Sequence, residues 1–360
     1  MEVVDVAIVG GGPAGSTCAA FCAAAGLRTL LLEREKFPRE KVCGDCINPA
    51  CWPVLGRLEI ANQILTSPHA RLDAVEFIAI NRRKIRIDLP RSEKSEIAIK
   101  RSIFDQLLLS RARDLGAEVR EEATLLSLNP SASDFWKLDI VHETFLARFV
   151  VAADGRNSTV ARMLNLLPKP ARERVALQAH IPLPRDFGNR VVLQFLPEGY
   201  SGQAPVNERE LNLCLVGTAP TISSLRKWAE SEFNLPSEQP WRTITPLTRD
   251  PIPVAYKNVL FIGDAARVVE PFTGEGIYYA LRSGELAAGA IAKIIRGEDR
   301  ELILHELERV HCAMYRGRLW INRLARAAVL SPQVASALLP VARFSPAILR
   351  LLTRKIVRPA

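Results

Sequence analysis

The chain has little that would place it outside a folded, non-secreted protein. No stretch reads as membrane-spanning: the charge-free run at 327–342 has 16 residues and two prolines, Pro332 and Pro340, where a spanning helix needs about 20. No basic segment precedes the first apolar run, so a secretory leader is not expected. There is no low-complexity tract and no repeat at solenoid periods. The seven cysteines are an odd number in a long chain, which argues against a disulfide framework and for a reducing compartment, the cytoplasm by default. Cys43-x-x-Cys46 with Cys51 has no fourth ligand nearby in sequence, so neither zinc nor an iron–sulfur cluster is expected. Nor does a strong acid–base constellation stand out.

Acidic residues are missing from one end. Between 309 and 360 there are ten Lys/Arg (Arg309, Arg316, Arg318, Arg323, Arg326, Arg343, Arg350, Arg354, Lys355, Arg358) and no Asp or Glu. The net charge of +9 therefore leaves the first 308 residues at −1. A basic module on a near-neutral body is either a solvated helical face or a peripheral contact for anionic lipid. Nucleic acid is not the expected partner.

At 360 residues, 48% hydrophobic and 24% charged, the chain can bury one large core or two smaller ones. Residues 3–9 are apolar and rich in β-branched side chains, as in a buried parallel strand. Gly10, Gly12 and Gly15 follow at G-x-G-x-x-G spacing. Residues 14–25 read as a small-residue helix, 27–32 as a second strand, and Glu33 closes it. Glycines there permit a tight turn and close approach of a pyrophosphate, the helix start offers free N–H groups, and Glu33 can accept from ribose hydroxyls. The unit reads as a dinucleotide site.

Three further segments bear on which dinucleotide. Arg101 opens a helical pattern ending at Gly116, and an arginine at a positive helix end is electrostatically odd; a nearby anionic cofactor would resolve it. Residues 149–162 run a strand into the turn Asp154-Gly155, after which Ser158 can cap a short helix. Residues 258–262 form a strand, Gly263-Asp264 a turn, and 271–276 a loop into a helix over 277–295. Asp264 can bond a sugar-like chain, and Gly274-Glu275-Gly276 places backbone N–H groups at a helix start, where the oxygen edge of a reduced flavin would be stabilised.

Together these four elements resemble the glutathione-reductase-type FAD fold in its aromatic-hydroxylase-like branch. The stretch Pro271-Phe-Thr-Gly-Glu-Gly-Ile-Tyr-Tyr-Ala-Leu281 is similar to the geranylgeranyl reductase family, and Lys41-Val-Cys-Gly-Asp45 falls where that family carries Lys-Pro-Cys-Gly-Gly. The resemblance covers about 1–295 and implies FAD, NAD(P)H as electron donor, and reduction of carbon–carbon double bonds in an apolar, isoprenoid- or polyketide-like small molecule. The FAD contacts it implies are Gly10, Gly12, Pro13, Ala14, Gly15, Glu33, Arg34, Arg101, Asp154, Gly155, Gly263, Asp264, Pro271, Gly274, Glu275 and Gly276. Cys43 and Tyr200 are the candidate acids.

Departures from the family's pattern limit the reaction. Prenyl reductases carry Tyr-x-Trp-x-Phe-Pro where this chain reads Tyr200-Ser-Gly202-Gln-Ala204-Pro205. Losing two large side chains predicts a wider pocket. Arg267 replaces the histidine that hydroxylases carry after their Gly-Asp box, and no tryptophan has another two residues away, as halogenases require. A flavin-dependent monooxygenase acting on an aromatic or polyketide substrate is the alternative; a halogenase, or a prenyl-binding module without activity, is further off.

The expected architecture is α/β. A Rossmann-type FAD-binding domain comes from 1–70, 101–164 and 256–295. An inserted mixed-sheet substrate domain comes from 71–100 and 165–255, and a helical basic region from 296–360.

Overall fold

The computed structural model describes residues 2–92, 94–131, 134–168, 174–269 and 274–316. Its eight-stranded sheet has a parallel core in the order Val259–Phe261, Thr144–Ala152, Glu2–Val9, Thr29–Leu32, Glu118–Arg120. Ala255–Tyr256 pairs antiparallel at one edge, and the hairpin Ser127–Pro130 with Trp136–Asp139 branches off Thr144–Ala152. The first strand is apolar at successive positions because both faces are covered. Val6 and Ile8 pack with the helices Pro13–Ala24, Arg101–Asp114 and Gly276–Ile295, while Ala7 and Val9 pack with Trp136, Phe145 and Phe261.

Register positions the site. Val9 lies opposite both Leu32 and Ala152, and Ala152 lies opposite Phe261. The four strands therefore end level. Gly10, Glu33, Asp154 and Asp264 emerge along one carboxyl edge, where open α/β sheets bind ligands.

The seven-stranded sheet runs Arg242–Ile244, Arg174–Pro182, Glu210–Thr218, Gly199–Pro205, Arg190–Leu196, Ala74–Ile78, Lys84–Asp88. Only the pairing of Arg190–Leu196 with Ala74–Ile78 is parallel. Period-two alternation sends Leu177, Ala179, Leu211, Leu213 and Leu215 to a back face closed by Leu225 and Ala229 of the helix Ile222–Glu232. The front face carries Ala176, Phe195, Tyr200 and Val216. A third sheet joins Cys46–Ile47, Ile97–Ala98 and Ala70–Arg71. It draws on segments assigned above to both domains, because short strands at the junction pair with whatever edge is nearest.

Arg300–Tyr315 forms a helix whose Asp299 side chain accepts from Leu302 N at 2.8 Å, a good N-cap. Of the ten basic tail residues, only Arg309 and Arg316 lie within the described residues. The helices expected beyond them lie outside. Among the described residues, no helix is long and apolar enough to cross a membrane.

The first and last helices of the nucleotide unit touch backbone to backbone. A Cβ on Gly284 would sit 2.4 Å from the carbonyl oxygen of Ala14. On the same helix, Gly289 has open space around it. Gly284→Ala should lower stability by about 1–3 kcal/mol. Gly289→Ala should be neutral or stabilise by up to about 1 kcal/mol. Urea unfolding of the two variants checks the contrast.

Candidate functional site

The first turn is built for an anion. Gly10 has φ +105°, and a Cβ there would lie 2.6 Å from the carbonyl oxygen of Ala153. A Cβ on Gly15 would lie 1.8 Å from the carbonyl oxygen of Gly10. No side chain fits at either position, so the cradle stays open. Pro13 occupies the first helical position, with Gly12 before it and Ala14 after. The helix has no side-chain cap and no acid in its first turn, which leaves its leading N–H groups for a ligand. Glu33 is buried and oriented: Oε2 accepts from Gly11 N at 2.7 Å and Oε1 from Glu35 N at 3.0 Å. Arg34 is exposed, 3.5 Å from Glu35.

Arg101 is answered by the protein itself. Asp105, one helical turn on, accepts from it twice, at 2.7 and 2.8 Å, and also accepts from Arg39 at 2.9 Å. The oddness of a cation at a helix start is real, but the charge that balances it is an i,i+4 carboxylate rather than the cofactor invoked above. Arg156 donates to Asp264 Oδ2 at 2.9 Å, and Arg249 donates to the Asp264 and Ala265 carbonyls, each at 2.7 Å. Lys41 sits among Arg101, Arg39, Arg156 and Asp264. Burial first, and then the three arginines, push its pKa down to about 8. Arg39, Lys41, Arg101 and Arg156 thus gather beside Asp105 and Asp264, and the crevice is rich in positive charge. A diphosphate carries two negative charges.

The neighbouring turn is partly self-contained. Asp154 Oδ2 accepts from Thr159 N and Val160 N at 2.6 and 3.1 Å, capping the helix Thr159–Met163 beside Ser158. Its Oδ1 is buried and has no partner; burial raises its pKa while Ser158 and the helix N–H groups pull it back. Gly155 follows at φ +82°. Gly263 N donates to Ser283 Oγ at 2.9 Å. Gly274 O accepts from Asn48 at 3.4 Å, Glu275 is buried at the cap, and the 20-residue helix begins at Gly276. Pro271 lies outside the described residues.

A loop over 40–46 joins this crevice to the front of the seven-stranded sheet. The Cys43 carbonyl accepts from Asn212 Nδ2 at 2.7 Å and from the Cys214 thiol at 3.3 Å. Burial raises the Cys43 pKa, and Arg101 lowers it in part. Val42 packs with Phe77, Phe195, Tyr200 and Leu247. Asp45 is fully buried at φ +59°, a conformation costing a residue with a Cβ about 1–2 kcal/mol. His180 Nε2 lies 2.8 Å from its Oδ2. Tyr200 is buried on the front face; Gly202 is half-buried, with open contacts to Leu193 and Cys214. Ala204 does not widen the pocket. It is filled in by Leu72, Leu89, Ala98 and Val206.

Arg39, Lys41, Asp105, Arg156, Asp45 and His180 were not singled out by sequence spacing. Arg39 carries no spacing signal in the charge-rich segment after Glu33, and Lys41 and Asp45 entered only through the resemblance of the Lys41–Asp45 loop. Because Lys41 carries only part of a charge near pH 8 in the free protein, an anion bound beside it must draw in a proton. FAD affinity should therefore fall about tenfold between pH 7 and 9, with Lys41→Met abolishing the slope. Flavin fluorescence titrations across that range check it.

Residues 3–182 match the family of the FAD binding domain. Menaquinone reductase of Mycolicibacterium smegmatis is 30% identical over 79% of this chain and 75% of its own. Digeranylgeranylglycerophospholipid reductase of Thermoplasma acidophilum is 26% identical over 95% of this chain and 92% of its own. The chain spans 65% of the length of another relative, conditioned medium factor receptor 1 of Dictyostelium discoideum, at 26% identity. Flavin-dependent brominase Bmp2 aligns with a TM-score of 0.80 over 98% of this chain and 93% of its own, at 19% identity, a likeness of fold. A glycine cradle that side chains would fill, an uncapped helix start and a crevice rich in positive charge suit the diphosphate of that cofactor, and the chain belongs to the FAD binding domain family as an FAD-dependent enzyme.

Proposed function

We propose that the chain is an NAD(P)H-dependent reductase of carbon–carbon double bonds in an apolar substrate bearing an isoprenoid-like chain. The observation that carries this reading is the front face of the seven-stranded sheet. Ala176, Phe195, Tyr200, Val216 and Leu247 are buried there, with Val42, Phe77, Ile80, Leu193 and Ile244 half-buried against them. This cluster is apolar and adjoins Lys41 through Val42, while Arg174, Gln178 and His180 lie at alternate positions of the same strand, on the face of Ala176. An apolar substrate gains about 25 cal/mol for each Å² it buries on the cluster. Two of the relatives are by name reductases, of menaquinone and of a digeranylgeranyl lipid.

FAD, once bound, supplies reversible two-electron chemistry. The residues of this chain divide the remaining work. Arg39, Lys41, Arg101 and Arg156 neutralise the diphosphate, and the helix start at Gly276 favours negative charge near it. The front face excludes water from the substrate. A reduction also needs a proton, and the Cys43 thiol holds one: burial keeps it protonated and Arg101 tempers that effect. Tyr200, on the same face, is the other proton-bearing candidate.

Gly202 sets the width of the pocket. A Cβ there would meet Leu193 at 3.7 Å and Cys214 at 4.0 Å, ordinary contact distances. Gly202→Trp should therefore fold, fill space over the front face and lower kcat/KM for branched or ring-bearing substrates at least tenfold, with smaller loss for a slim prenyl chain. Mass spectrometry of the product tests the reaction itself. With NADPH and a polyprenyl lipid or prenylated quinone, the product should gain two hydrogens. An oxygen atom acquired from ¹⁸O₂ would instead make the enzyme a monooxygenase.

A further inference from the structure

The loop over 40–46 carries a departure that the cofactor alone does not explain. Asp45 stands where the resembling family has glycine, at φ +59° and with no exposed surface. A left-handed backbone and a buried carboxylate are both unfavourable, so the surroundings must hold them in place. What holds Asp45 is His180, from the strand Arg174–Pro182 across the domain junction, with Nε2 at 2.8 Å from Oδ2. Ile99 N donates to the Asp45 carbonyl at 2.9 Å. Asn212 and Cys214 hold the Cys43 carbonyl two residues earlier. The loop is thus fastened to two strands of the substrate sheet at one end and delivers Lys41 into the cationic crevice at the other.

The imidazole sits in a polar cluster, where Gln178 Nε2 lies 3.3 Å from His180 Nε2 and donates to Asn212 Oδ1 at 3.2 Å. Glu40 Oε2 lies 3.9 Å from His180 Nδ1, so the ring stands between two carboxylates. Asp45 Oδ1, Glu40 Oε2 and Gln178 Oε1 are closed to solvent and have no hydrogen-bond partner among the described residues. The charged groups facing this cluster are Arg101, which answers Asp45 from its helix, and Glu210, which is itself met by Lys100 at 2.6 Å. The one short contact of the ring to a carboxylate is from Nε2 to Asp45 Oδ2, at 2.8 Å, a bond that a buried carboxylate needs.

We infer that His180 is a positioning residue for the cofactor crevice: its hydrogen bond to the buried Asp45 clasps the 40–46 loop, and loss of that bond loosens the loop and weakens FAD binding. This rests on the crevice being the FAD site, and not on which reaction follows.

Two readouts test it. The first is hydrogen exchange of the peptide containing 41–46 in the cofactor-free protein, which does not depend on FAD. His180→Leu should raise its exchange at least tenfold while the first strand, 2–9, stays protected. His180→Gln, which keeps a donor toward Asp45, should restore most of the protection. The second is FAD affinity: His180→Leu should bind at least tenfold more weakly, and His180→Gln should keep most of the affinity. Unchanged exchange at 41–46 in His180→Leu overturns the clasp. Exchange that rises without any change in FAD affinity overturns its link to the crevice. Glutamine and leucine behaving alike overturns the role of the hydrogen bond to Asp45.

Discussion

The crevice depends on backbones that touch with no side chain between them. Gly15 lies so close to the Gly10 carbonyl that a methyl group would sit 1.8 Å from it, and Gly284 presses on the Ala14 carbonyl from the far end of the nucleotide unit. These contacts pin one short helix between the first turn of the chain and the 20-residue helix Gly276–Ile295. Everything that reaches the crevice is placed from there. Because the parallel strands end level, the turns after them share one edge, and because the helix between them cannot shift, that edge cannot open or close by sliding. Rigid elements of this kind hold polar groups at fixed distances at little entropic cost when a ligand arrives.

Electrostatics then sets a tension within that rigid frame. Arg39, Lys41, Arg101 and Arg156 gather beside Asp105 and Asp264, and Lys41 yields. Its pKa falls from 10.5 to about 8, a shift that corresponds to roughly 3 kcal/mol of disfavoured charge. The unfolded chain keeps this proton up to its ordinary pKa while the folded, free protein releases it near 8. Between those values the unfolded state binds more protons, so the contribution of Lys41 to stability rises with pH. A bound diphosphate reverses the sign, because it restores the charge on the lysine. Arg39 and Arg101 behave differently, since Asp105 accepts from both. The site thus keeps two arginines ready on a permanent internal carboxylate and leaves one lysine to respond to the ligand.

Much of the cofactor side was legible in the sequence because it is made by backbone, and backbone demands show up as glycine at fixed spacing. Gly10, Gly15, Glu33 and the turn at Gly263-Asp264 were found that way, and the strand ends bring them to one edge. The fold class was legible for the same reason, from apolar runs alternating with helical patterns. Contacts between side chains far apart in sequence were not. Arg39 reaches Asp105 across 66 residues, His180 reaches Asp45 across 135, and Asn212 reaches the Cys43 carbonyl across 169. No local periodicity encodes these pairings. Arg101 shows the boundary well. Its position flagged an unanswered charge, but the carboxylate four residues on that answers it was not singled out. Ala204 shows the reverse, since a small residue suggested open space that Leu72 and Leu89 in fact fill.

The same division explains why the fold constrains the cofactor more tightly than the reaction. A change at Gly15 or Gly284 forces main-chain atoms apart, and the frame has no way to absorb it. A change at Gly202 meets only the ends of Leu193 and Cys214 at normal contact distance. The front face is assembled from alternate residues of strands that are already paired on both sides by backbone hydrogen bonds, so its side chains can vary in size while the register holds. Substrate shape can therefore be changed there without disturbing the nucleotide turn. The loop over 40–46 is the exception, because it belongs to both regions. Its carbonyl at Cys43 and its carboxylate at Asp45 are bound by the substrate sheet, and its lysine lies in the crevice. A substitution on His180, Asn212 or Cys214 is felt at the diphosphate, although none of the three is part of the nucleotide unit. This loop is the place where the identity of the substrate face and the affinity for the cofactor cannot be altered independently.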